Sequence, residues 1–144
     1  MRYGRMNRNR RKHIQFLYLL KVSGNGRTVT AEAMIAGYEQ LIARAHERGI
    51  EVYLFTRTAW KGYTRNVLGS DDVQWTQEID QMRQDINTWI KSDANPADGY
   101  IDLDFMCTDE TVTELKREFT TDGVHFTELG QQAVVNAVPL GYFQ

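Results

Sequence analysis

Two side chains near the C-terminus have the types and spacing for hydrolytic chemistry. The chain reads Asp122-Gly-Val-His125, then Phe-Thr-Glu-Leu-Gly and an apolar-periodic stretch to Val138. A carboxylate three residues before a histidine, at the mouth of a helix, can fix the imidazole tautomer and stabilise its charged form. The imidazole can then take a proton from a nucleophile. Such a pair is half of a Ser-His-Asp triad, although acid-x-x-His also arises as a plain surface loop ending in a helix cap. The other half would be an activated Ser or Cys. Cys107, the single cysteine, has no local activator and reads as a small buried or half-buried thiol. Ser23 precedes a glycine after an apolar run and reads as a solvent-facing turn residue. Ser70 and Ser92 read as turn or helix-end residues.

The remaining candidates have structural readings. His46 falls near the C-terminus of a helix, where the dipole favours a cation. His13 belongs to a basic run, and His13, His46 and His125 share no metal-ligand spacing. Asp102, Asp104, Asp109 and Asp122 could offer oxygen to a cation, but scattered acids at strand ends are ordinarily solvated. Trp60 and Tyr63 lie in a long loop, either packed over the sheet edge or placed to stack on a sugar or acyl substrate.

These side chains must be held by elements that the sequence also predicts. Residues 14–22 form an apolar run of strand length, with a short helix as the alternative, punctuated by Ser23-Gly-Asn-Gly. Thr30 is an N-cap candidate. Met34, Ile35, Tyr38, Leu41, Ile42 and Ala45 then share one helical face, and Gly49 can end the helix, which predicts a helix over 31–48. Glu51 to Thr56 reads as a buried strand. Residues 57–74 form a long polar connection, and long loops in compact domains are often functional. Ile79, Met82, Ile86, Trp89 and Ile90 mark a second helix over about 75–91, followed by the turn cluster Asn95 to Gly99. Tyr100 to Phe105 alternates as a strand, with Asp104 near its end. Residues 106–121 are polar with a helical turn around Glu110 to Lys116, and a last helix begins near Thr127. The order strand, helix, strand, loop, helix, strand, loop, helix is an α/β pattern that favours a parallel sheet. Open parallel sheets place ligands beyond the carboxyl ends of their strands. Thr56 to Trp60, Asp104 and the Asp122–His125 loop all fall at such ends.

Composition bounds the class. With 144 residues, the chain fits one domain with a real core. One cysteine excludes an internal disulfide framework and a CxxC metal site. No stretch approaches the roughly 20 apolar residues needed to span a bilayer. A basic start followed by Ile14 to Leu20 outlines a secretory signal, but the apolar run is short and no cleavage site is clear, so a soluble protein without a working signal is expected. The net charge of −2 hides an asymmetry. Residues 1–27 carry eight basic side chains and no acid, while the rest of the chain carries 9 basic and 19 acidic ones. The run from Arg2 to Lys12 could touch nucleic acid or anionic lipid. However, Tyr3 is its one aromatic and no nucleic-acid-binding motif accompanies it, so it reads as a tail or as non-native sequence.

From about residue 24 to 142 the chain resembles the SGNH, or GDSL-type, ester hydrolases. "TAEAMIAGYEQLIARAHERGIEVYLFTRT" is similar to that family's helix and following strand, "MRQDINTWI" to its next helix and "DGYIDLD" to its next strand. "DGVHFTELGQQAVVNAV" is similar to its Asp-x-x-His block and closing helix. Phe126 stands where the family usually has proline after the histidine. The resemblance implies a three-layer α/β/α flavodoxin-like sandwich, with Asp122 as orienter and His125 as general base. It implies no metal or organic cofactor, and short acyl or acetyl esters, including acylated carbohydrates, as substrates. The family's Gly-Asp-Ser nucleophile block and Gly-x-Asn-Asp oxyanion block are absent, and Asn25 does not inherit the oxyanion role, so the nucleophile is not identifiable and this chain could be inactive.

Two organisational expectations follow. Residues 1–23 form a basic, atypical segment and 24–144 the hydrolase-like portion, as if the second half of a hydrolase were joined to foreign sequence. A sandwich truncated on its N-terminal side would expose a sheet edge and invite marginal folding or self-association. The alternative to an esterase is a non-catalytic α/β module that binds a partner, with the basic tail contributing the contact.

Overall fold

The structure, a computed structural model, describes residues 29–63 and 75–143 together with the backbone of residues 13 and 14. The elements in order are β1 (His13–Ile14), α1 (Ala31–His46), β2 (Val52–Phe55), α2 (Gln77–Ile90), β3 (Gly99–Ile101), α3 (Leu103–Cys107) and α4 (Glu128–Ala137). Single 3-10 turns lie at Arg117–Phe119 and Leu140–Phe143. The expected strand at 14–22 falls on described residues only at Ile14. Its remainder, and the boundary near residue 23, lie outside them.

Local chemistry sets the helix ends. The hydroxyls of Thr30, Thr76 and Thr127 accept from the backbone N–H of Ala33, Ile79 and Gly130, respectively, each satisfying one amide that the first turn leaves free. Gly49, at φ 68°, follows α1, and its N–H donates to the His46 carbonyl. The chain then returns through Ile50 directly into β2.

The strands are parallel in the order β1-β2-β3, with Tyr53 opposite Gly99 and Phe55 opposite Ile101. Parallel neighbours need a crossover, and α2 supplies the one from β2 to β3. Alternation along β2 divides the core. Val52 and Leu54 face Tyr38 and Ile42 of α1 and Ile86 and Ile90 of α2. Tyr53 faces the other way, with Ile101, Leu103, and Val134 and Ala137 of α4. Helices therefore cover both faces of a small α/β fold.

Three expectations need correction. The strand predicted over Tyr100 to Phe105 ends at Ile101, and Leu103–Cys107 is helical. Asp102 causes the switch, because its carboxylate accepts from the N–H of Phe105 and caps the new helix. Asp104 therefore sits on α3, and Phe105 is 85% exposed rather than in the sheet. Second, residues 110–116 form no helical turn. They form an irregular loop closed by an antiparallel bridge between Thr108 and Leu115. Third, Leu41, placed on the apolar face of α1, is exposed. The connection after β2 begins buried, at Arg57, Thr58, Ala59 and Trp60. No helix among the described residues is long and apolar enough to cross a membrane.

Candidate active site

Asp122 and His125 meet. Nδ1 of His125 lies 2.7 Å from Oδ2 of Asp122. The other carboxylate oxygen accepts from the backbone N–H of His125 at 2.9 Å and of Val124 at 3.1 Å. The spacing explains this closure. An acid placed two and three residues before free amides folds back as an Asx turn, and its second oxygen is then aimed at the imidazole. Thr120 ties the base of the loop, accepting from the N–H of Gly123 and donating to the carbonyl of His125. A bridge between Thr120 and Phe126 closes it ahead of α4.

These contacts set the protonation states. Hydrogen bonding by the backbone N–H of His125, and then by its imidazole, holds the Asp122 carboxyl well below the usual carboxylate range, and the Val124 N–H adds to this. An ionised carboxylate only accepts, so Nδ1 carries the proton, and in the neutral imidazole Nε2 is then the nitrogen with the lone pair. The His125 side chain is 68% exposed, and among the described residues none bonds Nε2. The pair can therefore accept a proton on its open side.

A carboxyl whose folded pKa is depressed adds stability above its unfolded value, and that contribution fades as pH falls through the folded value. Asp122 is expected to remain ionised at about pH 3, below the ordinary carboxylate midpoint of about 3.9. A carbon NMR titration of its side chain measures this, and an ordinary midpoint near 4 would contradict the bonding described.

At the carboxyl ends of β2 and β3 lies a buried polar network that the sequence reading did not single out. Arg83 of α2 is 2% exposed. Its Nε donates to Asp80 at 2.8 Å, Nη1 donates to Asp104 and to the carbonyl of Arg57, and Nη2 donates to the carbonyl of Val112 at 2.9 Å. Asn87, one turn on, accepts from the backbone N–H of Arg57 and donates to both its carbonyl and Asp104. Thr56 donates to Asp102 and accepts from the N–H of Asp104, and Thr108 donates to Asp104. The backbone N–H and carbonyl of Arg57 are thus satisfied by side chains of α2 just past the end of β2. One signal was present in the sequence. Asp80, Arg83 and Asn87 fall at helical spacing on the same face as Ile86 and Ile90, so polar groups occupy core positions.

The other candidates are dispersed. His46 pairs with Asp98 at 2.9 Å, and Asp98 also accepts from the N–H of Val52 at the amino end of the sheet. Ser92 lies beyond the C-terminus of α2 and donates to the carbonyl of Trp89. Ser23 and Ser70 lie outside the described residues, as does His13's side chain. Cys107 is fully buried, and that burial pushes its thiol up to about 11, which removes the thiolate a nucleophile needs. Among the described residues no group of three or more His, Cys, Asp or Glu side chains could hold a metal ion, so Asp102, Asp104, Asp109 and Asp122 do not converge. Trp60 is buried and offers no stacking surface, whereas Tyr63 is half-buried with its ring edge-on to His125, at 6.3 Å between centroids. No model of a known protein family matches this chain, and no curated protein matches it.

Proposed function

We propose that this chain carries the acid–base half of a serine ester hydrolase of the SGNH type, on a flavodoxin-like α/β/α scaffold. The observation that carries the reading is the 2.7 Å Nδ1–Oδ2 contact, which leaves Nε2 open to solvent. His125 takes the proton of an attacking hydroxyl at Nε2. Asp122 holds the ring in the required tautomer and stabilises the imidazolium that results. The same proton passes to the departing alkoxide, and His125 next activates the water that releases the acyl group. The resemblance of residues 24–142 supports short acyl or acetyl esters as substrates, including those on carbohydrates.

No nucleophile is identified for this pair: the Gly-Asp-Ser block is absent from the sequence, and Ser23 and Ser70 lie outside the described residues. Ser92 is the one serine among them, and it sits past the C-terminal end of α2, the end that leads into the amino end of β3. A fluorophosphonate that reacts with activated serines, combined with turnover of p-nitrophenyl butyrate, tests the reading. Turnover is expected, together with a phosphonate adduct mapped to a serine by peptide mass. Neither turnover nor adduct would contradict the hydrolase and leave a non-catalytic α/β module.

A further inference from the structure

The Asp122–His125 loop rests on a turn from a different part of the chain. Residues 60–63 form a tight reversal closed by the Tyr63 N–H on the Trp60 carbonyl, with Gly62 at φ 88°. Positive φ at that place in a turn favours glycine. Gly123, between the two members of the pair, has φ 92°. A Cβ at Gly123 would lie 2.7 Å from the backbone nitrogen of Tyr63 and 2.9 Å from the carbonyl carbon of Gly62. The neighbour is backbone, which cannot swing aside as a flexible side chain could. Gly123 is therefore required twice, by its own dihedral and by the peptide pressed against it.

The turn is anchored in its own right. The N–H of Lys61 donates to the carbonyl of Thr113 at 2.9 Å. The preceding residue, Val112, has φ 63°, an uncommon conformation for a β-branched side chain, and its carbonyl receives Arg83. Continuous contact thus runs from buried Arg83, through Val112 and Thr113, to Lys61 and Gly62, and from there to Gly123.

We propose that the 60–63 turn is the seat that positions the Asp122–His125 pair, with Gly123 as the point of contact and Arg83 as the anchor. Gly62, Gly123 and Arg83 are positioning residues for this pair. The proposal rests on reading the pair as a general base, but the seat itself is read from ionisation and tautomer, not from turnover. A parent chain without ester turnover would count against the proposed function and leave these readouts in place.

The test is NMR of the full chain. In Gly123→Ala, the Asp122 carboxyl midpoint is expected to rise by about one unit or more towards its ordinary value. Imidazole nitrogen shifts of His125 should show a mixture of tautomers in place of the Nδ1–H form. Gly62→Ala meets only the Glu114 carboxyl, at 4.0 Å, so strain in the turn is its main effect. It should move both readouts the same way by less. Gly37→Ala, on α1 with open space around it, should move neither. Unchanged Asp122 ionisation and His125 tautomer in folded Gly123→Ala would overturn the proposal. If that variant does not fold, unchanged readouts in Gly62→Ala would do so.

Discussion

Arg83→Ala is expected to lower folding stability by about 3–5 kcal/mol, the range for removing one partner of a buried charge network. Arg83 bonds two carboxylates and two backbone carbonyls, and its side chain and that of Asp80 are 2% and 5% exposed. Removing the guanidinium leaves Asp80 and Asp104 without their shared cation. Gln84, Asn87 and Thr108 still donate to them, but these groups are neutral. The Val112 carbonyl loses its side-chain donor, and the Arg57 carbonyl keeps that of Asn87. Arg83→Met fills more of the volume and should still lose most of the stability, because the carboxylates remain. Arg83→Lys keeps the charge but cannot span four acceptors with one rigid fork, so it should fall between parent and alanine. Urea denaturation measures the series. A loss below about 1 kcal/mol for Arg83→Ala would place the network in the class of solvated surface pairs, and the account of it as a buried charge network would fail.

Asp122→Asn is expected to reduce ester turnover by about 10⁴, the order seen when the triad carboxylate becomes an amide. The substitution keeps the shape of the Asx turn, since the amide oxygen can still accept from the N–H of Val124 and His125. What changes is the atom facing Nδ1. Where Oδ2 accepted, an amide nitrogen would donate, and the imidazole would respond by placing its proton on Nε2. The base would then carry a proton on the face where it must receive one. Binding should change little, so the loss belongs in kcat with KM nearly constant. A double variant with His125→Ala should be no slower than His125→Ala alone, because the two residues act as one unit. A loss of similar size in KM, or additive losses in the double variant, would speak against the tautomer argument.

What was legible in the sequence follows the range of the forces involved. The helices α1, α2 and α4 were readable because their apolar stripes, and for α1 the Thr30 cap, act within a few residues. The pairing of Asp122 with His125 was readable for the same reason, since both oxygens reach groups two or three positions away. Helix α3 was not readable. Ile101, Leu103 and Phe105 alternate like a strand, and nothing local says that Asp102 will cap a helix and leave Phe105 in solvent. The Arg83 network was missed because a charged residue on a helix reads as solvated until its partners are known. Those partners, Arg57, Asp104 and Val112, come from three other segments. Burial of Trp60 and the contact of Gly123 with Gly62 are long-range in the same sense.

The central claim is that His125 acts as a general base through Nε2. It is tested most directly by steady-state hydrolysis of p-nitrophenyl butyrate by the parent chain and by His125→Ala, side by side. The expected result is measurable turnover by the parent and a reduction of about 10⁴ or more in the variant, at least as large as that of Asp122→Asn because the carboxylate acts through the imidazole. Equal rates for the two proteins, or no turnover by the parent, would contradict it.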